Sequence, residues 1–135
     1  MRGDRLGKSR LIRINCCTDT DFTARPVDVY PDGTAYNLSD GIVQVSYACG
    51  RNGQDNLKNK IKKYEIDLWA ISNVFLPGQG HKFRIGITSS NYPWYNVNPN
   101  IGKTTLDTTE MVKANQMILH DSGLHSYVVL IPGKS

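Results

Sequence analysis

The side chains with the clearest chemical capacity in this 135-residue sequence are three histidines, three cysteines and a set of Gly-Lys runs. His120, Asp121 and His125 could supply metal ligands. A five-residue spacing does not put two histidines on one helix face, however, and Gly123 interrupts the stretch between them. All three histidines, His81 included, read as turn residues. Cys16 and Cys17 are adjacent, so in a strand they point to opposite faces, and neither makes the paired spacing of a zinc site. Cys16 or Cys49 could partner a histidine as a nucleophile, but nothing near either in sequence would lower a thiol pKa. An odd cysteine count without a signal peptide favours structural, reduced thiols. Gly3-Asp4-Arg5-Leu6-Gly7-Lys8-Ser9 has one residue too few between its glycines for a phosphate-binding loop. It also lacks the preceding strand that the mechanism needs. Gly102-Lys103-Thr104 fails because Val97 stands where the first glycine belongs. The carboxylates are scattered singly. The sequence therefore predicts no enzyme, no cofactor and no metal.

Binding surfaces are better represented. Tyr92, Trp94 and Tyr95 interleave with Asn and Pro, a composition suited to stacking on sugars or bases, burial at a protein interface, or plugging the end of a sandwich. Lys58, Lys60, Lys62 and Lys63 read as a solvated face guarding a strand edge. Arg2, Arg5, Lys8, Arg10 and Arg13 stand against Asp4 alone, a local net charge of +4, and the eleven basic and eleven acidic residues that follow cancel. The excess charge thus belongs to an arm and not to a basic body. Nucleic-acid contact through it is less favoured than protein contact. Arg2-Gly3-Asp4 spells an integrin-binding tripeptide, but without a secretion signal it reads as coincidence, as does the Asn37-Leu38-Ser39 glycosylation triplet.

The elements that must position these groups are mostly strands. Twelve Gly, six Pro and seven Tyr give the turn and strand composition of a β protein. Residues 1–8 read as a flexible basic arm and 9–135 as one β-rich domain. Residues 22–30 alternate around Pro26, which favours an edge strand or bulge. Pro31-Asp32-Gly33 and Ser39-Asp40-Gly41 are turns. Residues 41–49 alternate cleanly, with Val43, Val45, Tyr47 and Cys49 as the core face. Residues 65–75 and 81–88 alternate and flank a Pro-Gly turn, predicting a hairpin. Residues 89–103 form a long loop. Asp107-Thr108-Thr109-Glu110 has capping-box form and predicts a helix to about residue 120, followed by a final apolar strand over 126–131.

The expected fold is mainly β: an antiparallel β-sandwich, Ig-like or jelly-roll-like, with one late helix and the basic N-terminal arm. No apolar run reaches membrane-spanning length, and no apolar stretch of signal-peptide length follows the basic N-terminus. The run VDVYPDGTAYNLSDGIVQVS (27–46), followed by PGQGHKFRIGI (77–87), resembles the Ig-like module of phage baseplate and head-fibre proteins. It departs from that module across 65–75 and the late helix. The resemblance implies a non-enzymatic virion subunit, assembled in a host cytoplasm and joined to other protein subunits as a homo-oligomer or hetero-assembly. Arg2, Arg5, Lys8, Arg10, Tyr92, Trp94 and Tyr95 are its expected interface. A carbohydrate-binding module using the Tyr92, Trp94 and Tyr95 loop is the alternative.

Overall fold

A computed structural model describes residues 4–7, 12–15, 20–45, 61–71, 73–101, 108–120, 122–123 and 125–132. Within it the chain runs through β1 (Asp4–Gly7), β2 (Ile12–Asn15), β3 (Asp21–Val29), β4 (Ala35–Asn37), β5 (Gly41–Gln44), β6 (Ile61–Tyr64) and β7 (Val74–Phe75). A 3-10 turn (Pro77–Gln79) leads into β8 (Lys82–Thr88), and β9 (Met117–Ile118) and β10 (Ile131–Pro132) complete the order. Every strand pair is antiparallel.

The nine-residue β3 organises one sheet. Along one edge it pairs first with β5 (Asp21 opposite Gln44) and then with β4 (Val29 opposite Ala35); along the other it pairs with β8 from Thr23–Thr88 to Val29–Lys82. The sequence reading made this segment an edge strand or a bulge because Pro26 cannot donate to a ladder. It is not an edge but the central strand. The carbonyl of Pro26 accepts from the Leu38 N–H at 2.9 Å, so its nitrogen faces the same side, where β5 gives way to β4 and the register shifts by one residue. The missing donor falls in that gap, and the ladder with β8 is untouched.

The core lies between this sheet and a second one in the order β6-β2-β9. Phe22 and Ala24 on β3 pack with Val45, Tyr64, Ile66 and Leu68. Val43, Ile85, Ile87 and Ile118 close around them. Phe22 and Tyr64 meet at 6.1 Å between ring centroids. Each large side chain buried this way contributes about 1.5–3 kcal/mol. β1 lies between β7 and β10, so part of the stretch read as an arm is a strand in this structure.

Two sequence expectations are corrected. The hairpin expected of residues 65–75 and 81–88 does not form, because β8 pairs with β3. Tyr64, Ile66 and Leu68 are buried and Glu65, Asp67 and Trp69 are not, so the alternation is real while the ladder is absent. Trp69 takes φ 61°, which breaks the alternation and makes Ile71 the next buried residue in place of Ala70. Nor is there a helix over 108–120, a stretch that is extended and contributes β9. Thr108 Oγ1 accepts from the Glu110 N–H two residues on, at 3.0 Å. This is a local turn; Asp107, the first residue of the expected capping box, lies outside the described residues. Gln116 donates to Thr20 Oγ1 at 2.7 Å, and pairing with β2 at Ile118 outweighs helix propensity.

Two turns are built as their residues require. Gly33 takes φ 87°, and Asp32 Oδ1 accepts from the Thr34 N–H at 2.8 Å. That backbone hydrogen bond first, and one from the Thr34 side chain second, hold the Asp32 carboxyl below its ordinary value. Gly41 meets a different demand. A Cβ there would lie 2.4 Å from the Asp67 carbonyl oxygen and 2.8 Å from Ile66 Cγ2, so the close passage of the 66–68 segment admits only glycine.

Candidate functional site

The 37–41 turn between β4 and β5 holds the two segments that carry the most exposed aromatic side chains of the described residues. On one flank, Ser39 Oγ donates to the Leu68 carbonyl at 2.5 Å, placing Trp69 beside the turn. On the other flank, Asp40 Oδ1 accepts from Asn91 Nδ2 at 2.9 Å, placing Tyr92 and Trp94 there as well. Asp40 Oδ2 takes Asn37 Nδ2 at 2.8 Å, and Arg25 approaches the same carboxylate at 3.9 Å. Trp69 is 69% exposed, Tyr92 74% and Trp94 79%. Left-handed backbone costs a bulky residue about 1–2 kcal/mol. At Trp69 the Asp67 carboxylate offsets part of that by accepting the Trp69 N–H at 2.9 Å. Strain of this kind holds a ring where an extended backbone would not put it.

Asparagines order the long loop that carries Tyr92 and Trp94. Asn98 Nδ2 donates to Asp21 at 2.8 Å. Asn98 Oδ1 accepts the Asn100 N–H, and Asn100 Nδ2 reaches the Val112 carbonyl, both at 2.8 Å. The loop thereby covers the outer face of β3, where Asp21 and Thr23 are buried. It leaves a groove of about 710 Å3, with Trp94, Tyr95 and Asn96 on one side and Asp21, Ile42, Val43 and Gln44 on the other. Tyr95 is half-buried in its wall, while Tyr92 and Trp94 project. Of the remaining expected interface residues, Arg5 lies on β1. Arg2, Lys8 and Arg10 fall outside the described residues, as do Cys16, Cys17, Cys49 and Asp121.

A second cluster escaped the sequence reading. Asp28 is 1% exposed, and its carboxylate receives His81 Nδ1 at 3.0 Å and Asn73 Nδ2 at 3.3 Å. Tyr30 packs on the His81 ring at 4.2 Å, and Phe75 meets it edge-on at 6.3 Å. His81 is thus no plain turn residue. The available signal was Asp28 in phase with Phe22 and Ala24 on the core face of a strand, where an ionisable group needs partners. An Asp–His pair is the orienting half of a nucleophilic triad. Among the described residues no Ser, Thr or Cys side chain hydrogen-bonds this ring. His120 and His125 are exposed, and no group of three or more metal-ligating side chains occurs among the described residues. No helix among them is long and apolar enough to cross a membrane.

Residues 16–129 match the X-Pro dipeptidyl-peptidase C-terminal non-catalytic domain, and the chain belongs to that family. Among individual proteins, it is 43% identical over 101 residues to the cocaine esterase of Rhodococcus sp. (strain MB1 Bresler), a match covering 70% of this chain and 16% of the esterase. An aminopeptidase from a marine sediment Thaumarchaeota archaeon shares the fold with TM-score 0.77 at 22% identity, over 97% of this chain and 24% of that one. An α-amino acid ester hydrolase does so with TM-score 0.72 at 20% identity, over 96% and 23%. The chain therefore spans a small part of the length of each of these relatives.

These findings overturn the phage reading and, with it, the virion location. The runs 27–46 and 77–87 carry Asp-Gly turns and strand alternation, which antiparallel sandwiches share whatever their descent. A family of hydrolase-associated domains takes the place of both the virion subunit and the carbohydrate module.

Proposed function

We propose that this chain acts as the non-catalytic β-sandwich module of a hydrolase that cleaves acyl ester or amide bonds. It supports a catalytic body and contributes no reacting group of its own. The family match over residues 16–129 carries this reading. The identity to part of an esterase and the fold shared with an aminopeptidase and an ester hydrolase agree with it. The buried Asp28–His81 pair then stiffens the sandwich end.

Two assays test the reading. The purified chain is offered p-nitrophenyl esters and aminoacyl p-nitroanilides, and no turnover above the buffer rate is expected. The chain is also grafted into the Rhodococcus esterase in place of the segment it matches, and the chimera is expected to fold and hydrolyse esters. Turnover by the lone chain, or a chimera that neither folds nor works, refutes the module reading.

A further inference from the structure

We propose that the groove between β5 and the 94–96 loop takes a free, extended peptide, which adds to the sheet as a strand along β5. This site is complete within the chain and does not depend on the module reading above.

On its paired side, β5 sets Gln44 opposite Asp21 and Ile42 opposite Thr23, both on β3. The Val45 N–H donates to the Thr20 carbonyl across the same gap at 3.0 Å. Main-chain groups alternate sides along a strand, so Val43 faces β3 as Val45 does. The N–H and C=O of Ile42 and Gln44 therefore face away. Among the described residues no strand meets that second edge. An open edge of this kind is a template for one more strand.

The groove lies along it. Three consecutive β5 residues, Ile42, Val43 and Gln44, line the groove. Successive side chains point to opposite faces, and Val43 packs toward the core, so its share of the lining is main chain. Trp94, Tyr95 and Asn96 form the facing wall. The Trp94 ring is 79% exposed, and Gln44 and Asn96 are exposed as well. Side chains on one face of an added strand would meet the indole, and the two carboxamides can donate and accept beside its peptide groups.

The volume, about 710 Å3, falls within the roughly 300–1,000 Å3 of ligand sites. Among the described residues no lysine or arginine lines it. An anion finds no counter-charge there, whereas an uncharged peptide backbone needs none. A second copy of this chain fits less well. An isologous β5–β5 pair would bring its own 94–96 loop against the first.

Fluorescence anisotropy tests this with blocked, labelled hexapeptides in which threonine alternates with tyrosine, leucine or valine, offered to the full chain. At least one is expected to bind. Its fully N-methylated form keeps the side chains and lacks the strand donors, and is expected to bind roughly ten-fold more weakly or worse. Trp94→Ala is expected to weaken binding by about ten-fold with the melting temperature unchanged, since the ring stands in water. In amide NMR spectra of the wild-type chain, the peptide should slow exchange of the Ile42 and Gln44 N–H groups and leave that of Val43, already paired with β3, as it was. Failure of every peptide to bind at millimolar concentration overturns the proposal, as do equal affinities for the parent and N-methylated peptides. Slow exchange at Ile42 and Gln44 in the chain alone overturns it too, because another part of the chain or a second copy then already holds the edge.

Discussion

Replacing Gly41 with alanine puts one methyl group where the 66–68 segment already lies. The added carbon would sit 2.4 Å from the Asp67 carbonyl oxygen, 2.8 Å from Ile66 Cγ2 and 3.0 Å from Leu68 Cδ2. The nearest atom is backbone and cannot swing aside. Ile66 and Leu68 are 2% and 4% exposed, so neither can retreat without opening the core. Overpacking of this kind costs about 1–3 kcal/mol. Against it stands the entropic gain of removing a glycine from the unfolded chain, about 0.4–1 kcal/mol where the backbone is compatible. Gly41 has no positive φ, so that gain applies, but it is the smaller quantity. The expected net loss is about 1–2 kcal/mol, or a melting temperature lowered by roughly 3–8 °C in a domain of this size. The control is Gly78→Ala, where nothing lies within 4 Å of the new carbon and neutrality or a slight gain is expected. Thermal melts followed by circular dichroism decide between them. A Gly41→Ala domain that melts at or above the wild-type temperature refutes the account of the close passage, and with it the placement of Trp69 beside the turn.

Three further outcomes follow from the polar contacts. His81→Ala removes a hydrogen bond to the buried Asp28 carboxylate and should cost about 1–3 kcal/mol in urea unfolding; an unchanged midpoint would mean that water replaces the imidazole freely. Asp28→Ala should cost at least as much, since it leaves both His81 Nδ1 and Asn73 unpaired, and the double variant should cost less than the sum of the singles. Asp32 has its folded pKa depressed below the ordinary 3.8, so its contribution is present above that value and fades as pH falls through the lower folded value. The stability difference between wild type and Asp32→Ala should therefore hold from neutrality down to about pH 4 and vanish in stronger acid; a difference that grows on acidification would reverse the assignment.

Local chemistry was the legible part of this chain. Pro31-Asp32-Gly33 forms the turn its residues dictate, and the alternation through Val43 and Val45 picked out side chains that lie in the core. The Tyr92, Trp94 and Tyr95 cluster was also visible, because aromatics amid Asn and Pro have few local reasons to be there. Nothing in sequence showed that the segment of Trp69 and the 91–95 loop would both be held by the 37–41 turn, since the latches join residues 29 and 51 positions apart. The expected helix failed for a related reason. Asp107 and Glu110 satisfy a capping pattern, but strand pairing at Ile118 is a tertiary gain that no window of local propensity contains. Family membership was illegible because turn residues and strand periods report the physics common to antiparallel sandwiches, and descent is written in other positions.

The pairing of β3 with β8 shapes how the chain is made. Thr23 and Thr88, bonded side chain to side chain at 2.7 Å, are 65 residues apart, and the strands they join are the longest among the described residues. Loop-closure entropy must be met before that ladder returns anything, which places such topologies at the slow, millisecond-to-second end of folding. At a synthesis rate of about 5–20 residues per second, β3 waits seconds on the ribosome before β8 exists. During that interval β4 and β5 can shelter one edge, while the other lies open to any neighbouring strand. Truncation before residue 82 would leave that edge open permanently, and such fragments should accumulate as aggregates and not as partly folded monomers.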